Sequence, residues 1–232
     1  MEVKMTNLGE LAREELPVRS PSLAEQAYVT LKRWILSGQL DAETVMSEND
    51  LARRLSISRS PLREAIRKLQ VDGLLAASGP KGFGIPPISL DLIDQVYGVR
   101  LALEAEAAAH ATSIPEADLA KMRQFMEEIR PEVMAGDAQR FTEADFEFHD
   151  LFVRNCGNPL LISYIERLRG NIQRILVYSG QLEEHSVRSF DEHMDILEAM
   201  EAKDPARTEK TVRQHIKGVR DRLHNSLLGT AE

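Results

Sequence analysis

One stretch of the sequence constrains the fold more than any other, residues 47–74, which read SENDLARRLSISRSPLREAIRKLQVDGL. Ser47 can cap a short helix that ends near Ser56, because a serine side chain accepts hydrogen bonds from the free amides of a first turn. A second helix starts at once, since Pro61 fits a first turn that needs no amide donor and apolar residues follow at helical spacing. Two helices joined by a few residues are typical of a helix-turn-helix.

The same stretch carries a concentrated positive charge. Residues 53–68 contain six arginines or lysines and a single acid, Glu64, in a chain whose formal net charge is −8. Arg59, Ser60 and Arg63 fall at the start of the second helix, the end that enters a major groove in this motif, where arginine can bond guanine bidentately. A solvated basic helix face is the alternative, but the helix-turn-helix context favours DNA.

A β-hairpin is predicted directly after the second helix. Residues 74–77 and 83–85 can pair across a turn at 78–82, which contains two glycines and a proline. Lys81 at the tip of this hairpin and Arg53 in the first helix are further candidate DNA contacts. For Lys81, a solvated loop lysine is the alternative.

The stretch resembles the winged helix-turn-helix signature of the GntR superfamily of bacterial transcription regulators, through its S-R-x-P-x-R-E-A core and its closing D-G-L. The resemblance implies three helices and a β-hairpin wing that bind double-stranded DNA, with contacts at Arg59, Ser60 and Arg63. Asn49 stands where many members have arginine, and Ala42-Glu43 where Pro-Gly is usual. These departures concern one contact and one turn type.

A change in charge divides the chain near Pro86-Pro87. Residues 1–86 hold 12 Lys or Arg and 11 Asp or Glu, whereas residues 87–232 hold 17 and 26, so the second half repels phosphate and has another task. We interpret residues 1–20 as a mobile N-terminal arm, 21–86 as the DNA-binding domain, and 87–232 as an all-helical domain.

Apolar periodicity predicts six helices in the second half, and hence a mainly α fold in which the winged helix-turn-helix is followed by an antiparallel six- or seven-helix bundle. The helices are expected over about 88–112, 115–135, 137–156, 160–178, 187–201 and 204–228. No apolar run reaches the roughly 18 residues that span a bilayer, and the single cysteine, Cys156, fits a reducing compartment. We therefore expect a cytoplasmic protein without a membrane partner.

Four polar residues are expected to point into this bundle. Asp145 and His149 are four apart on one helix, and His193 and His215 lie on the apolar stripes of two others. Three imidazoles and a carboxylate can bind a divalent metal such as zinc, nickel or manganese, with positions left open for a ligand. Each histidine alone is more often a hydrogen-bonded core residue; His185 is assigned to an interhelix loop.

The patterns D-F-E-F-H, E-H-M-D-I-L-E-A-M and H-I-x-x-V resemble the FCD domain, the ligand-sensing half of FadR-type GntR regulators, with a helix count closer to the VanR-like branch. This resemblance implies that the same four residues bind the metal, zinc above all, and that the domain dimerises and senses a small organic acid. Arg100 matches a family arginine near the pocket and is a candidate anchor for the effector carboxylate, although a pair with Glu104 is the alternative. Tyr97 and Asn171 are candidate pocket donors.

The sequence thus predicts a ligand-responsive transcription regulator, a repressor more often than an activator, that binds a palindromic operator as a homodimer. Two alternatives stay open. One is a metal-dependent enzyme that uses the Asp/His3 site, and the other is a DNA-binding regulator whose metal is purely structural.

Overall fold

The computed structural model describes residues 20–40, 45–79, 82–179 and 183–229 and is mainly helical. The first part, called the head below, contains α1 (Leu23–Leu36), α2 (Glu48–Leu55) and α3 (Arg59–Val71). It also contains three short strands, β1 (Met46–Ser47), β2 (Ala76–Ser78) and β3 (Gly82–Gly84), which form one antiparallel sheet in the order β1-β3-β2. The second part, the body, consists of α4 (Leu90–Ala109), α5 (Glu116–Met134), α6 (Ala138–Asn155), α7 (Pro159–Ser179), α8 (Glu183–Glu201) and α9 (Pro205–Gly229).

The helix-turn-helix forms where the sequence predicts it. Ser47 Oγ accepts a hydrogen bond from the amide of Asp50 at 3.1 Å, and α2 ends before Ser56, which has a left-handed backbone with φ of 54°. α3 begins at Arg59, with Ser58 as the residue before it. The three helices enclose a core of Leu31, Ile35, Leu51, Leu62, Ile66 and Leu69.

The sheet of the wing contains one more strand than predicted. β3 pairs with β2, and it also pairs with β1, so that Phe83 lies between Ala77 and Met46. β1 was not predicted, because two residues are too few to show alternation. Lys81 at the tip of the wing lies outside the described residues, as does the predicted arm up to residue 19.

Within the described residues six α-helices follow the linker, as predicted, with one 3-10 turn at Ala111–Ser113 after the first of them, so the winged helix-turn-helix and helical bundle are both confirmed. α4 packs along α9 and also against α6 and α7, while α8 packs against α9 and α5. Most helix bounds agree with the prediction within a few residues. The exception is α8, which begins at Glu183, four residues before the first apolar residue on which the prediction relied. His185 therefore lies in a helix and not in a loop.

The head contacts the body through α7. Asn171 Nδ2 donates a hydrogen bond to the carbonyl of Asp72 at 2.7 Å, at the end of α3, and Arg174 donates to the carbonyl of Pro86. A Cβ atom at Gly170 would lie 2.9 Å from the side chain of Leu74 in the head. The backbone of α7 can approach the head this closely because position 170 is a glycine. One helix of the body thus touches both the end of α3 and the linker.

No helix in the described part of the chain is long and apolar enough to cross a membrane.

Candidate metal centre and nucleic-acid interface

The start of α3 and the wing share one exposed face of the head. Arg59 and Arg63 line a shallow depression together with Gly79 and Gly82 of the wing, and Ser60 is exposed beside Arg59. The first turn of α3 contains no acidic residue. An exposed helix start with two guanidiniums beside a hairpin can contact phosphates and base edges of a duplex.

Two of the candidate DNA-binding arginines are held by carboxylates. Arg63 Nε lies 2.9 Å from Glu48 Oε2, and Arg53 Nη2 lies 3.2 Å from Asp50 Oδ1. Arg59 has no ion pair within the described ranges. Exposed pairs of this kind are weak, so phosphate can replace the carboxylate. Glu48 was not identified from the sequence, since it is 15 residues away from Arg63.

The four predicted metal ligands converge in the body. Asp145 and His149 project from α6, His193 from α8 and His215 from α9, and one ligand atom of each lies within 4.8 Å of all the others. His193 Nε2 lies 3.2 Å from His149 Nε2, 3.3 Å from His215 Nε2 and 3.5 Å from Asp145 Oδ1. All four side chains are buried.

Outer contacts orient the three imidazole rings. His215 Nδ1 lies 2.8 Å from Glu192 Oε2 in a hydrogen bond, and His149 Nδ1 lies 2.6 Å from Glu104 Oε2, an ion-pair distance without hydrogen-bond geometry. The ring of His193 stacks on Phe148 with centroids 4.3 Å apart. Carboxylates behind histidines are the usual second contacts of metal-binding imidazoles, because they orient the ring nitrogen toward the ion.

Burial disfavours charge on all four groups. It holds the pKa of His149 and His193 well below the usual value, helped by nearby Arg100 and by the other rings, and it lowers that of His215 against the attraction of Glu192. Burial also raises the pKa of Asp145 to about 6, although Arg100 opposes this shift. The imidazoles are therefore neutral at pH 7, the form that binds a metal.

This donor set fits a divalent cation. Three neutral ring nitrogens and a carboxylate oxygen crowd one point, and Asp145 Oδ2 is buried without a hydrogen-bond partner among the residues that the structure describes. Buried polar atoms without partners are costly, and a bound cation would satisfy the converging nitrogens and the carboxylate together. Imidazole and carboxylate ligands suit zinc, nickel or manganese.

Arg100 lies beside this cluster, fully buried. Its Nε donates to Glu104 Oε1 at 2.6 Å and its Nη2 lies 3.8 Å from Asp145 Oδ2, so the pair with Glu104 exists and Arg100 also faces the metal ligands. Arg100 Nη1 and the hydroxyl of Tyr97 are buried and have no hydrogen-bond partner in the described chain. Burial raises the pKa of Tyr97 to about 12 and that of Glu104 above its usual value.

A small cavity adjoins the cluster, with a free volume of about 10 Å³. Arg100 and Asp145 form part of its wall, and the wall is completed by Phe141, Thr142, Leu176, His185, Ser186, Ser189, Val219 and Arg222. Arg222 was missed from the sequence, although it follows His215 by seven residues, two helical turns on the same face of α9. Glu192 was also missed, although it directly precedes His193.

The structure does not bring Asn171 to this cavity. Its side chain is buried against the head, where it donates to Asp72 and would touch a Cβ at Gly73 at 3.0 Å. The predicted role of Asn171 as a pocket donor is therefore corrected to a contact between head and body. Nothing in the sequence indicates which element the Asn171 side chain contacts, because that depends on how α7 docks against the head.

Two family models match the chain. The model described as "Bacterial regulatory proteins, gntR family" matches residues 23–85, which is most of the head. The FCD domain model matches residues 95–218, more than half of the chain, and includes all four converging ligands.

Known proteins with similar sequences are transcription regulators. An uncharacterized HTH-type transcriptional regulator, YdhC of Bacillus subtilis, is 31% identical over 197 residues, which cover 82% of this chain and 84% of the relative. The gluconate operon transcriptional repressor of B. subtilis is 26% identical over 205 residues, covering 84% and 82%. Among solved structures, Escherichia coli McbR/YncC has a TM-score of 0.72 at 22% identity, covers 89% of this chain and 99% of its own, and so shares the fold.

Proposed function

The chain belongs to the GntR family of bacterial transcription regulators and carries an FCD domain, and from this membership we propose that it is a metal-assisted sensor of a small organic acid. In this proposal a homodimer binds a palindromic operator in the cytoplasm, and the acid lowers operator affinity. DNA binding and a ligand-binding domain come with the family, and the families and relatives matched are regulators and not enzymes. The observation that carries the finer proposal is the buried cluster of Asp145, His149, His193 and His215 beside Arg100.

The head would read the operator with the start of α3. Arg59, Ser60 and Arg63 would face base edges in the major groove, while Arg53 and the wing residue Lys81 would contact backbone phosphates. One head makes few contacts, and two half-sites on a palindrome would supply the remaining affinity, which is the reason for proposing a dimer. Light scattering on the purified protein tests the dimer directly.

The body would hold the metal through Asp145 Oδ1 and the Nε2 atoms of His149, His193 and His215. Glu104 and Glu192 would fix the orientation of two of these rings. The bound ion supplies a positive charge that attracts a carboxylate. Zinc fits this donor set best, with nickel and manganese as alternatives.

Arg100 would be the second anchor of the effector. Its Nε donates a hydrogen bond to Glu104, but Nη1 is buried and has no hydrogen-bond partner within the described residues. The hydroxyl of Tyr97 is also buried and has no partner there. A carboxylate placed between the metal and Arg100 would satisfy both donors. The adjoining cavity is now too small for an acid, since about 10 Å³ holds roughly one water molecule. Binding therefore requires its walls to move.

α7 would carry that movement to the head. Leu176 forms part of the cavity wall, and one and a half turns earlier Asn171 and Gly170 contact the end of α3. A shift of α7 caused by the effector would change the position or rigidity of α3 relative to its partner in the dimer. Such couplings amount to about 1–3 kcal/mol.

A purely structural metal is the second candidate, favoured by the burial of the four ligands. The two roles differ in what stabilises the protein. For a sensor, thermal unfolding with and without chelator should show that the metal raises the midpoint and that certain organic acids raise it further only in the metal-loaded protein. If the metal stabilises but no acid does, the structural role is correct.

A further inference from the structure

The charges around the cavity can be counted. Arg100 and Arg222 are cations in its wall, Asp145 is an anion in its wall, and two more anions stand directly behind. These are Glu104, bonded to Arg100, and Glu192, bonded to Arg222. The exposed Arg188 also reaches Glu192 at 3.4 Å, but its side chain is 70% exposed and is screened by water. With the histidines counted as neutral, the two arginines and three carboxylates sum to −1, and a divalent cation would bring the total to +1.

This excess of one positive charge matches one carboxylate. A second carboxylate on the same ligand would leave a net negative charge in a region where most of the lining is buried. An uncompensated buried charge is strongly unfavourable, more so than an unpaired neutral group. The count therefore favours a monoanion over a dianion.

Arg222 does not offer a second carboxylate site. Its Nη1 donates to Glu192 Oε1 at 2.7 Å, and its Nη2 donates to Glu192 Oε2 and to Ser189 Oγ, both at 2.9 Å. Nε is the only nitrogen of this guanidinium that is buried and without a partner in the part of the chain that the structure describes. One N–H can bond a ligand hydroxyl or carbonyl oxygen, but it cannot form the bidentate pair that guanidinium makes with carboxylate.

The rest of the polar wall consists of three hydroxyl groups and the imidazole of His185. Thr142 projects from α6 and Ser186 and Ser189 from α8, and both serines are buried. Hydroxyl groups donate and accept, so they suit a ligand that carries neutral hydroxyl groups. We propose that the effector is a hydroxylated monocarboxylate and not a dicarboxylate, a narrowing that rests on the acid-sensing role proposed above.

The test uses matched pairs of acids on the full-length, metal-loaded protein. Aldonates of three to six carbons are compared by calorimetry with the aldarates of the same length, and hexanoate serves as the acid without hydroxyl groups. At the preferred chain length, the aldonate should bind roughly tenfold or more tightly than both the aldarate and hexanoate. If an aldarate binds as tightly or more tightly, or hexanoate equals the aldonate, this inference is wrong while acid sensing stands. If no acid of either series binds to protein that retains its metal, the proposed function itself is contradicted.

A substitution can move the preference. Glu192→Gln removes one negative charge behind the wall and keeps an acceptor for His215, so it should shift the aldarate-to-aldonate affinity ratio toward the aldarate by roughly tenfold. Glu198→Gln is the matched control, since Glu198 lies on the same helix but pairs with Arg207 at the surface, and it should leave the ratio unchanged. Metal content is measured in both variants. An unchanged ratio in metal-bearing Glu192→Gln protein overturns the charge argument.

Ser186→Ala tests the hydroxyl argument without altering any charge. It should weaken aldonate binding and leave hexanoate binding as it was. Equal losses for both acids would contradict a role for the hydroxyl groups. The Ser186→Ala variant therefore still tests the proposal if Glu192→Gln protein loses its metal and cannot report on charge.

Discussion

The contact between head and body gives a prediction with a built-in control. Gly73 and Gly38 both lie in the head with left-handed backbones, at φ of 71° and 69°. Alanine at either position meets the same backbone penalty, roughly 1–2 kcal/mol. The surroundings differ: a Cβ at Gly38 would meet nothing within 4 Å, whereas a Cβ at Gly73 would lie 3.0 Å from Asn171 Nδ2.

The extra contact sets the size of the expected difference. Asn171 would have to move by a few tenths of an ångström, away from the 2.7 Å hydrogen bond that it donates to Asp72. Such a bond contributes about 1 kcal/mol to stability. Gly73→Ala should therefore lower the free energy of unfolding by about 1 kcal/mol more than Gly38→Ala does.

Urea unfolding followed by tryptophan fluorescence measures this difference, because Trp34 is the only tryptophan and packs against the head core. The cycle is completed by repeating both substitutions in an Asn171→Ala background, where the difference should disappear. Equal losses for the two alanine variants, or a difference that persists without Asn171, would refute the contact as a source of stability.

Three further predictions concern the sites. Arg59→Ala should weaken operator binding by about 1–3 kcal/mol in fluorescence anisotropy, whereas Arg207→Ala on the body surface should not, and equal effects would contradict the assignment of α3 to the groove. Arg100→Lys keeps the charge but replaces the planar guanidinium, so it should leave metal binding intact and abolish acid-dependent stabilisation; unchanged acid affinity would remove Arg100 from the site. Metal affinity measured by calorimetry should be level above about pH 6 and fall below it, because burial raises the pKa of Asp145 to about 6 and a proton then competes with the metal for the carboxylate. His149 and His193 add no competition there, since their pKa values lie well below the usual range, and affinity that stays level at pH 5 would show that Asp145 is not a ligand.

The sequence predicted the features that depend on local spacing. Ser47 and Pro61 marked the two helices of the head, and the spacing of Asp145 and His149 required both side chains to share one face of α6. His193 and His215 were found because each lies on an apolar stripe, which in a helical bundle faces inward. Convergence of the four residues follows once all three helices enclose one core.

Features that depend on the rotation and docking of distant elements could not be predicted in this way. Glu48 reaches Arg63, and Asn171 meets Asp72 across 99 positions, only because of how whole helices are placed. Glu192 directly precedes one predicted ligand, and Arg222 follows another by two helical turns. A search for charged residues adjacent to each histidine or at helical spacing from it would therefore have found both.

Regulation by this protein depends on one proposed coupling, in which an acid bound at the metal changes the affinity of the head for DNA. Operator fragments selected from the genome of the source organism can be titrated with metal-loaded protein in fluorescence anisotropy. The titration is done with and without the acid that stabilises the protein most. The account predicts that this acid weakens operator binding by about 5- to 150-fold, and that chelation or His193→Ala abolishes the response. Operator affinity that is the same with and without the acid, in protein that binds both metal and acid, would contradict it.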